Sequence, residues 1–154
     1  MCTSAVQYLL EIYTTLSAGV FAGAVIYISL VEHPARMDCE TGLAVKEFRA
    51  SYRRAAPVQG MMLMTSAAGA TALWALGAGG WWAAGAAVLL ALIPFTLAAI
   101  FPVSKKLLDA SAGEDPERER GLLTRWGRLH MLRSLCGLIS FLIFLILLWR
   151  GDAR

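Results

Sequence analysis

The sequence predicts an all-α membrane protein: a four-transmembrane-helix bundle of antiparallel, up-and-down topology, with short interfacial helices in its two long loops. Three observations predict it. Of 154 residues, 58% are hydrophobic and 16% charged, against roughly 45–50% and 25% in an ordinary soluble domain, and the mean hydropathy is +0.60. Residues 55–104 carry no charged side chain, a run long enough for two crossings of a hydrocarbon core about 30 Å thick and the turn between them. The Lys and Arg residues, finally, gather in two segments of the chain. A water-soluble enzyme, a disordered tail and a disulfide-stapled secreted module are all excluded.

The spans follow in order along a single membrane domain, residues 1–154. Span one covers about 8–31 and is free of charge from Ile12 to Val31. Its leading segment, Met1 to Gln7, has no Lys or Arg, and its apolar part exceeds the h-region of a signal peptide, so a retained helix is expected. Pro34 then turns the chain out of the helix. Span two covers 57–76, with Pro57 in its first turn, where a missing N–H costs nothing. The Gly77, Gly79, Gly80 cluster makes the next turn. Span three covers 81–101, with Trp81 and Trp82 at the headgroup level and a kink at Pro94. Span four covers 129–149 and ends on the belt residue Trp149. In the first long loop, residues 43–55 read as an interfacial helix with Phe48 and Tyr52 on one face and Lys46, Arg49 and Arg53 on another. In the second, Ser111 to Pro116 is turn chemistry, and Pro116 starts a helix with Glu117 and Glu119 in its first turn that runs on into span four.

Charge sets the orientation. Arg36, Lys46, Arg49, Arg53 and Arg54 lie between spans one and two; Lys105, Lys106, Arg118, Arg120, Arg125, Arg128 and Arg133 lie between three and four or just inside four. Arg150 and Arg154 follow span four. By the positive-inside rule both long loops are cytoplasmic and both termini outside, in an inner membrane. Cations facing anionic headgroups account for the net charge of +3, so the lipid bilayer is the expected partner and nucleic acid is not. Cys2, Cys39 and Cys136 fall too far apart on this topology to pair.

Ionisable residues at membrane depth are costly, and here they converge. Glu32 and His33 end span one, and His130 and Arg133 begin span four, on a helical stripe with Trp126 and Gly137. Three readings fit these residues. They are snorkelling anchors, with Glu32 and Arg133 as a structural ion pair; or they form one catalytic pocket, in which a histidine moves a proton, Arg133 holds an oxyanion and Glu32 orients or accepts; or two His and one Glu bind iron. The spacing lacks HxxxH and ExxH, so no metal is assigned. Trp126, Thr96 and Pro94 are the candidate substrate contacts, because the Pro94 kink frees a carbonyl and leaves Thr96 either to bond back to the helix or to face a cavity. Gly19 with Gly23, and Ala67, Gly69 and Ala70, are small-residue faces suited to close helix packing, and Met61, Met62 and Met64 are adaptable packing.

The run Glu32-His-Pro-Ala-Arg-Met37, then Phe48 and Tyr52 before Pro57, Ile93-Pro-Phe-Thr96, Phe101-Pro102 with Leu107-Leu108, and Arg125-Trp126 with His130 and Arg133, together resemble the DUF1772 family of anthrone oxygenase-like integral membrane proteins. The resemblance extends over about residues 8–149. It implies a four-helix membrane protein and, from some relatives, a cofactor-independent oxygenase that uses molecular oxygen and needs no bound cofactor. The roles given to His130, Arg133, Glu32 and His33 rest on depth and convergence, not on the family. The expected function is oxygenation of a hydrophobic phenolic or quinone-type small molecule. The alternative is a non-enzymatic accessory or scaffold subunit that packs against a membrane partner, or against its own copy as a homo-oligomer, through small-residue faces. A transporter is disfavoured, because no charge lies at the bilayer midplane.

Overall fold

The structure is a computed structural model that describes residues 5–152. The expectations for Cys2, for Arg154 and for the first residues of the leading segment lie outside that range. Within it the chain is all helix and turn, arranged as four rods. The first consists of α1 (Ala5–Tyr27), a wide π turn (Ile28–Glu32) and α2 (His33–Met37). The second is α3 (Thr41–Ala75). The third joins α4 (Gly80–Phe95), a second π turn (Thr96–Ile100) and α5 (Phe101–Asp109). The fourth is α6 (Pro116–Asp152).

Two proline expectations are corrected. Pro34 does not end the first rod, and Pro57 lies inside α3 rather than at its start. The reasons differ. At Pro34 the backbone widens just ahead of the ring: the His33 N–H reaches back five residues to the Ile28 carbonyl. The same device precedes Pro102, where the Phe101 N–H bonds the Thr96 carbonyl. A π turn gives the chain room where a proline ring would meet the carbonyl four residues back. Pro57 is held by packing on both sides, Ala44, Val45 and Phe48 before it and Leu63, Ala67 and Leu73 after it, which offsets a cost of about 3 kcal/mol. Residues 43–55 are therefore the first third of one long helix and not a separate interfacial one.

Other expectations appear as drawn. Gly77 and Gly79 take φ of 83° and 121° in the turn after α3, a region that L side chains avoid. Asp115 Oδ1 accepts the Arg118 N–H and caps α6, with Pro116 as its first residue. Three rods, Ala5–Met37, Gly80–Asp109 and Pro116–Gly151, are long and apolar enough to cross a membrane. The Thr41–Ala75 rod is not among them, because Gln59, Thr65, Ser66 and Thr71 dilute its apolar half.

α1 packs on α3 and α6, and α4 packs on the same two, so the rods close a ring. Two apolar clusters fill it. One gathers Phe21, Leu73, Trp82, Leu89 and Phe144; the other gathers Val45, Phe48, Ile100, Leu107, Leu123 and Trp126. Small residues serve this internal packing. Gly19 is met by the Phe141 ring, 2.9 Å from where a Cβ would stand, and Gly69 by Thr14, while Gly23 faces open space. Long side chains staple the rod ends: Arg49 donates to the Leu107 carbonyl, and Arg120 to those of Met37 and Cys39, which satisfies carbonyls at the ends of α5 and α2. Cys39 and Cys136 are both free thiols.

Candidate functional site

Between the two apolar clusters all four rods line one cavity of about 230 Å³, just below the roughly 300–1,000 Å³ of common small-molecule sites. The first π turn and α2 supply Glu32 and Arg36, α3 supplies Tyr52 and Gln59, the second π turn supplies Thr96 and Ile100, and α6 supplies Trp126, His130 and Arg133. Both widened turns, in other words, open onto the same space.

Of the residues marked in the sequence, Glu32, Thr96, Trp126, His130 and Arg133 line this cavity, whereas His33 and Pro94 do not. Pro94 lies between the lining residues Ile93 and Thr96 without reaching the space itself. His33 is pressed against Gly127 and tilts against Trp126 at 5.5 Å. Trp126 in turn stacks on His130, with ring centroids 4.6 Å apart and an interplanar angle of 22°, and its indole N–H donates to Ser104 Oγ.

His130 and Arg133 turn inward rather than out to headgroups, being only 2% and 8% exposed. The expected Glu32–Arg133 pair is not made. Glu32 bonds the guanidinium of Arg36, one helical turn on, and the Ser51 hydroxyl from α3; the i, i+4 spacing makes Arg36 its neighbour on the same rod. Arg36 also binds Glu47, and its guanidinium lies 5.4 Å from the Phe48 ring centre and 5.8 Å from that of Trp126. Arg133 is held differently: Nη1 donates to Gln59 Oε1 at 3.1 Å, and the guanidinium lies 5.1 Å from the centre of the Phe21 ring. Among the described residues no carboxylate pairs with it. Its Nε, Arg36 Nη1 and Thr96 Oγ1 are buried without a hydrogen-bond partner.

His130 is held from the other side. Nδ1 lies 2.9 Å from Ser29 Oγ, and Ser29 lies 2.8 Å from Ser134 Oγ. Arg36, Gln59, Ser29 and Ser134 went unmarked in the sequence. For Gln59 a signal existed, since it is the strongest hydrogen-bonding side chain in a run without charges; buried serines in apolar helices are too common to stand out.

The arrangement joins a buried imidazole, an unpaired cation and apolar walls. It can accept a proton and hold the anion left behind. No group of three or more His, Cys, Asp or Glu that could hold a metal occurs among the described residues.

Residues 48–143 match the model of the anthrone oxygenase family. The matched stretch contains Gln59, Thr96, Trp126, His130 and Arg133, and it begins after Ser29, Glu32 and Arg36. No curated protein and no solved structure matches the chain.

Proposed function

Because the chain belongs to the anthrone oxygenase family, we propose that it is an integral membrane, cofactor-independent oxygenase acting on an apolar phenolic or quinone-type molecule drawn from the bilayer. The observation that carries this is the shared cavity: His130 and an unpaired Arg133 line one space with apolar walls. All four rods cross the membrane as an antiparallel bundle, with both long loops cytoplasmic. The molecule arrives sideways. Met64 and Leu97 line the cavity and yet are 52% and 61% exposed, so in a membrane they face lipid and mark the mouth.

In the cavity, His130 removes the acidic proton of the substrate, and Arg133, oriented by Gln59, holds the resulting oxyanion. A buried cation without a counter-ion is costly until an anion arrives, which favours the anionic state over the neutral one. The electron-rich anion passes an electron to dioxygen, and the radical pair combines into a carbon–oxygen bond. The peroxide oxygen takes back the proton from His130. Loss of the remaining hydrogen on that carbon together with hydroxide leaves a carbonyl and water, so one oxygen atom enters the product and the other leaves as water.

The test is oxygen uptake by the full chain in lipid nanodiscs, supplied with anthrone and a panel of phenols and quinols. We expect one dioxygen consumed per carbonyl formed, and a loss of about 10²–10³-fold in kcat/KM for His130→Gln and for Arg133→Gln. No uptake with any member of the panel, or rates unchanged in both variants, overturns the proposal.

A further inference from the structure

The hydroxyls beside His130 can be assigned by counting protons. Ser134 Oγ lies 2.9 Å from the carbonyl oxygens of both Val25 and His130. Carbonyls only accept, so the single hydroxyl proton of Ser134 points at that pair; otherwise oxygen lone pairs face each other at this distance in a dry interior. Ser134 then has no proton for Ser29, and Ser29 must donate to Ser134 across their 2.8 Å contact. Ser29 in turn has none left for the ring. Its 2.9 Å contact with Nδ1 closes only if Nδ1 carries the hydrogen. Three protons then serve three links; with a bare Nδ1 one proton is missing and a link among buried groups is lost.

Resting on the reading of His130 as the base, we infer that Ser29 and Ser134 are positioning residues that hold its ring in the Nδ1–H form, leaving the Nε2 lone pair for the substrate proton. Two backbone carbonyls fix the Ser134 hydroxyl, and Ser134 in turn fixes that of Ser29. Ser29 is a buried residue of the first π turn, and Ser134 stands one turn beyond His130 on α6. When Nε2 gains a proton, Nδ1 keeps its own and goes on donating to Ser29. No hydroxyl has to turn during the transfer. A neutral relay thus orients the ring as a carboxylate does in hydrolase triads, without adding a second charge to an apolar site.

Nitrogen NMR of the histidine-labelled full chain in nanodiscs tests this, with His33→Gln assigning the signals, since the chain has two histidines. The wild-type ring of His130 is expected to show Nδ1 protonated and Nε2 bare. Ser134→Ala removes the acceptor of the Ser29 proton, so Ser29 donates to Nδ1 and the ring moves to the Nε2–H form, with kcat falling about 10–10²-fold and KM little changed. Ser134→Thr keeps a hydroxyl and restores both the spectrum and kcat. A wild-type ring protonated on Nε2, or an unaltered tautomer in the alanine variant, overturns the assignment; should the alanine variant not fold, the wild-type spectrum decides. The spectrum needs no substrate. An Nδ1–H ring in a protein that oxidises none of the panel sinks the oxygenase reading and leaves this one, whereas an Nε2–H ring in an active enzyme sinks this one alone.

Discussion

Arg36, 3% exposed, binds carboxylates of Glu32 and Glu47, whereas Arg133, on the same cavity, has an amide and an aromatic face but no anion among the described residues. The same side chain in two environments should respond to truncation in opposite ways. Arg36→Met strands the Glu32 carboxylate in a half-buried place and should cost about 3–5 kcal/mol, while Glu47→Gln, at the outer and more exposed end of the pair, should cost less than about 1 kcal/mol. Arg133→Met removes a buried charge that no carboxylate among the described residues compensates, and should stabilise the empty protein by about 1–2 kcal/mol while lowering kcat/KM by about 10²–10³-fold, as Arg133→Gln does. Thermal unfolding of the three variants in detergent checks the order. Equal losses at Arg36 and Glu47, or a destabilised Arg133→Met, contradict the electrostatics described for the cavity. At this scale the sequence singled out Glu32, Thr96, Trp126, His130 and Arg133, which all line the cavity, because polar groups beside apolar helix are rare enough to carry information. Arg36 escaped because it reads as one more cation of a basic loop.

Among the elements, the π turns have the greatest consequence. Each lies just ahead of a proline, and together they bring Glu32 and Thr96 to one space. Prolines at 34 and 102 were visible in the sequence, and a helix end was the natural expectation. What a sequence does not reveal is whether the backbone stops at a proline or widens to pass it, since that depends on what packs around the turn. Opposite them, α3 contributes Gly60, which lines the cavity near Met64 and would place an added side chain in open space. Gly60→Phe should therefore narrow the mouth without harming the fold. Turnover of tricyclic substrates is expected to fall tenfold or more, while the unfolding temperature holds or rises, because glycine inside a helix costs roughly 0.5–1 kcal/mol. Gly23→Phe, on an open surface of α1, serves as the control with wild-type turnover. A phenylalanine at 60 that leaves the rates untouched would place the mouth elsewhere.

For the whole molecule, charge segregation dictates the expected orientation in the membrane. The loop after α5 and the α2–α3 junction are flanked by basic residues, and the turn at 77–80 has none. In inverted and right-side-out vesicles, a cysteine placed at Ser111 should react with an impermeant maleimide from the cytoplasmic face and one at Ala78 from the other, in a Cys2→Ser, Cys39→Ser, Cys136→Ser background, since the chain has three cysteines. Labelling of both positions from one face would overturn the proposed antiparallel arrangement. Class and gross architecture were readable from composition because the cost of burying charge in hydrocarbon acts on every residue of a span and leaves a pattern along the chain. The turn at 77–80 and the start of α6 at Pro116 followed from local turn chemistry, whereas the helix ends expected at Pro34 and Pro57 did not. The choice of partners inside the ring did not follow, and these belong to the fold: Arg36 rather than Arg133 on Glu32, His33 against Gly127 outside the cavity, and Ser29 and Ser134 under His130. Such pairings depend on the rotation and depth of each rod against its neighbours, set by shape at contacts like Gly19 on Phe141 and Gly69 on Thr14. A one-dimensional hydropathy signal carries no record of those angles, because many rotations bury the same apolar area and only close packing distinguishes them.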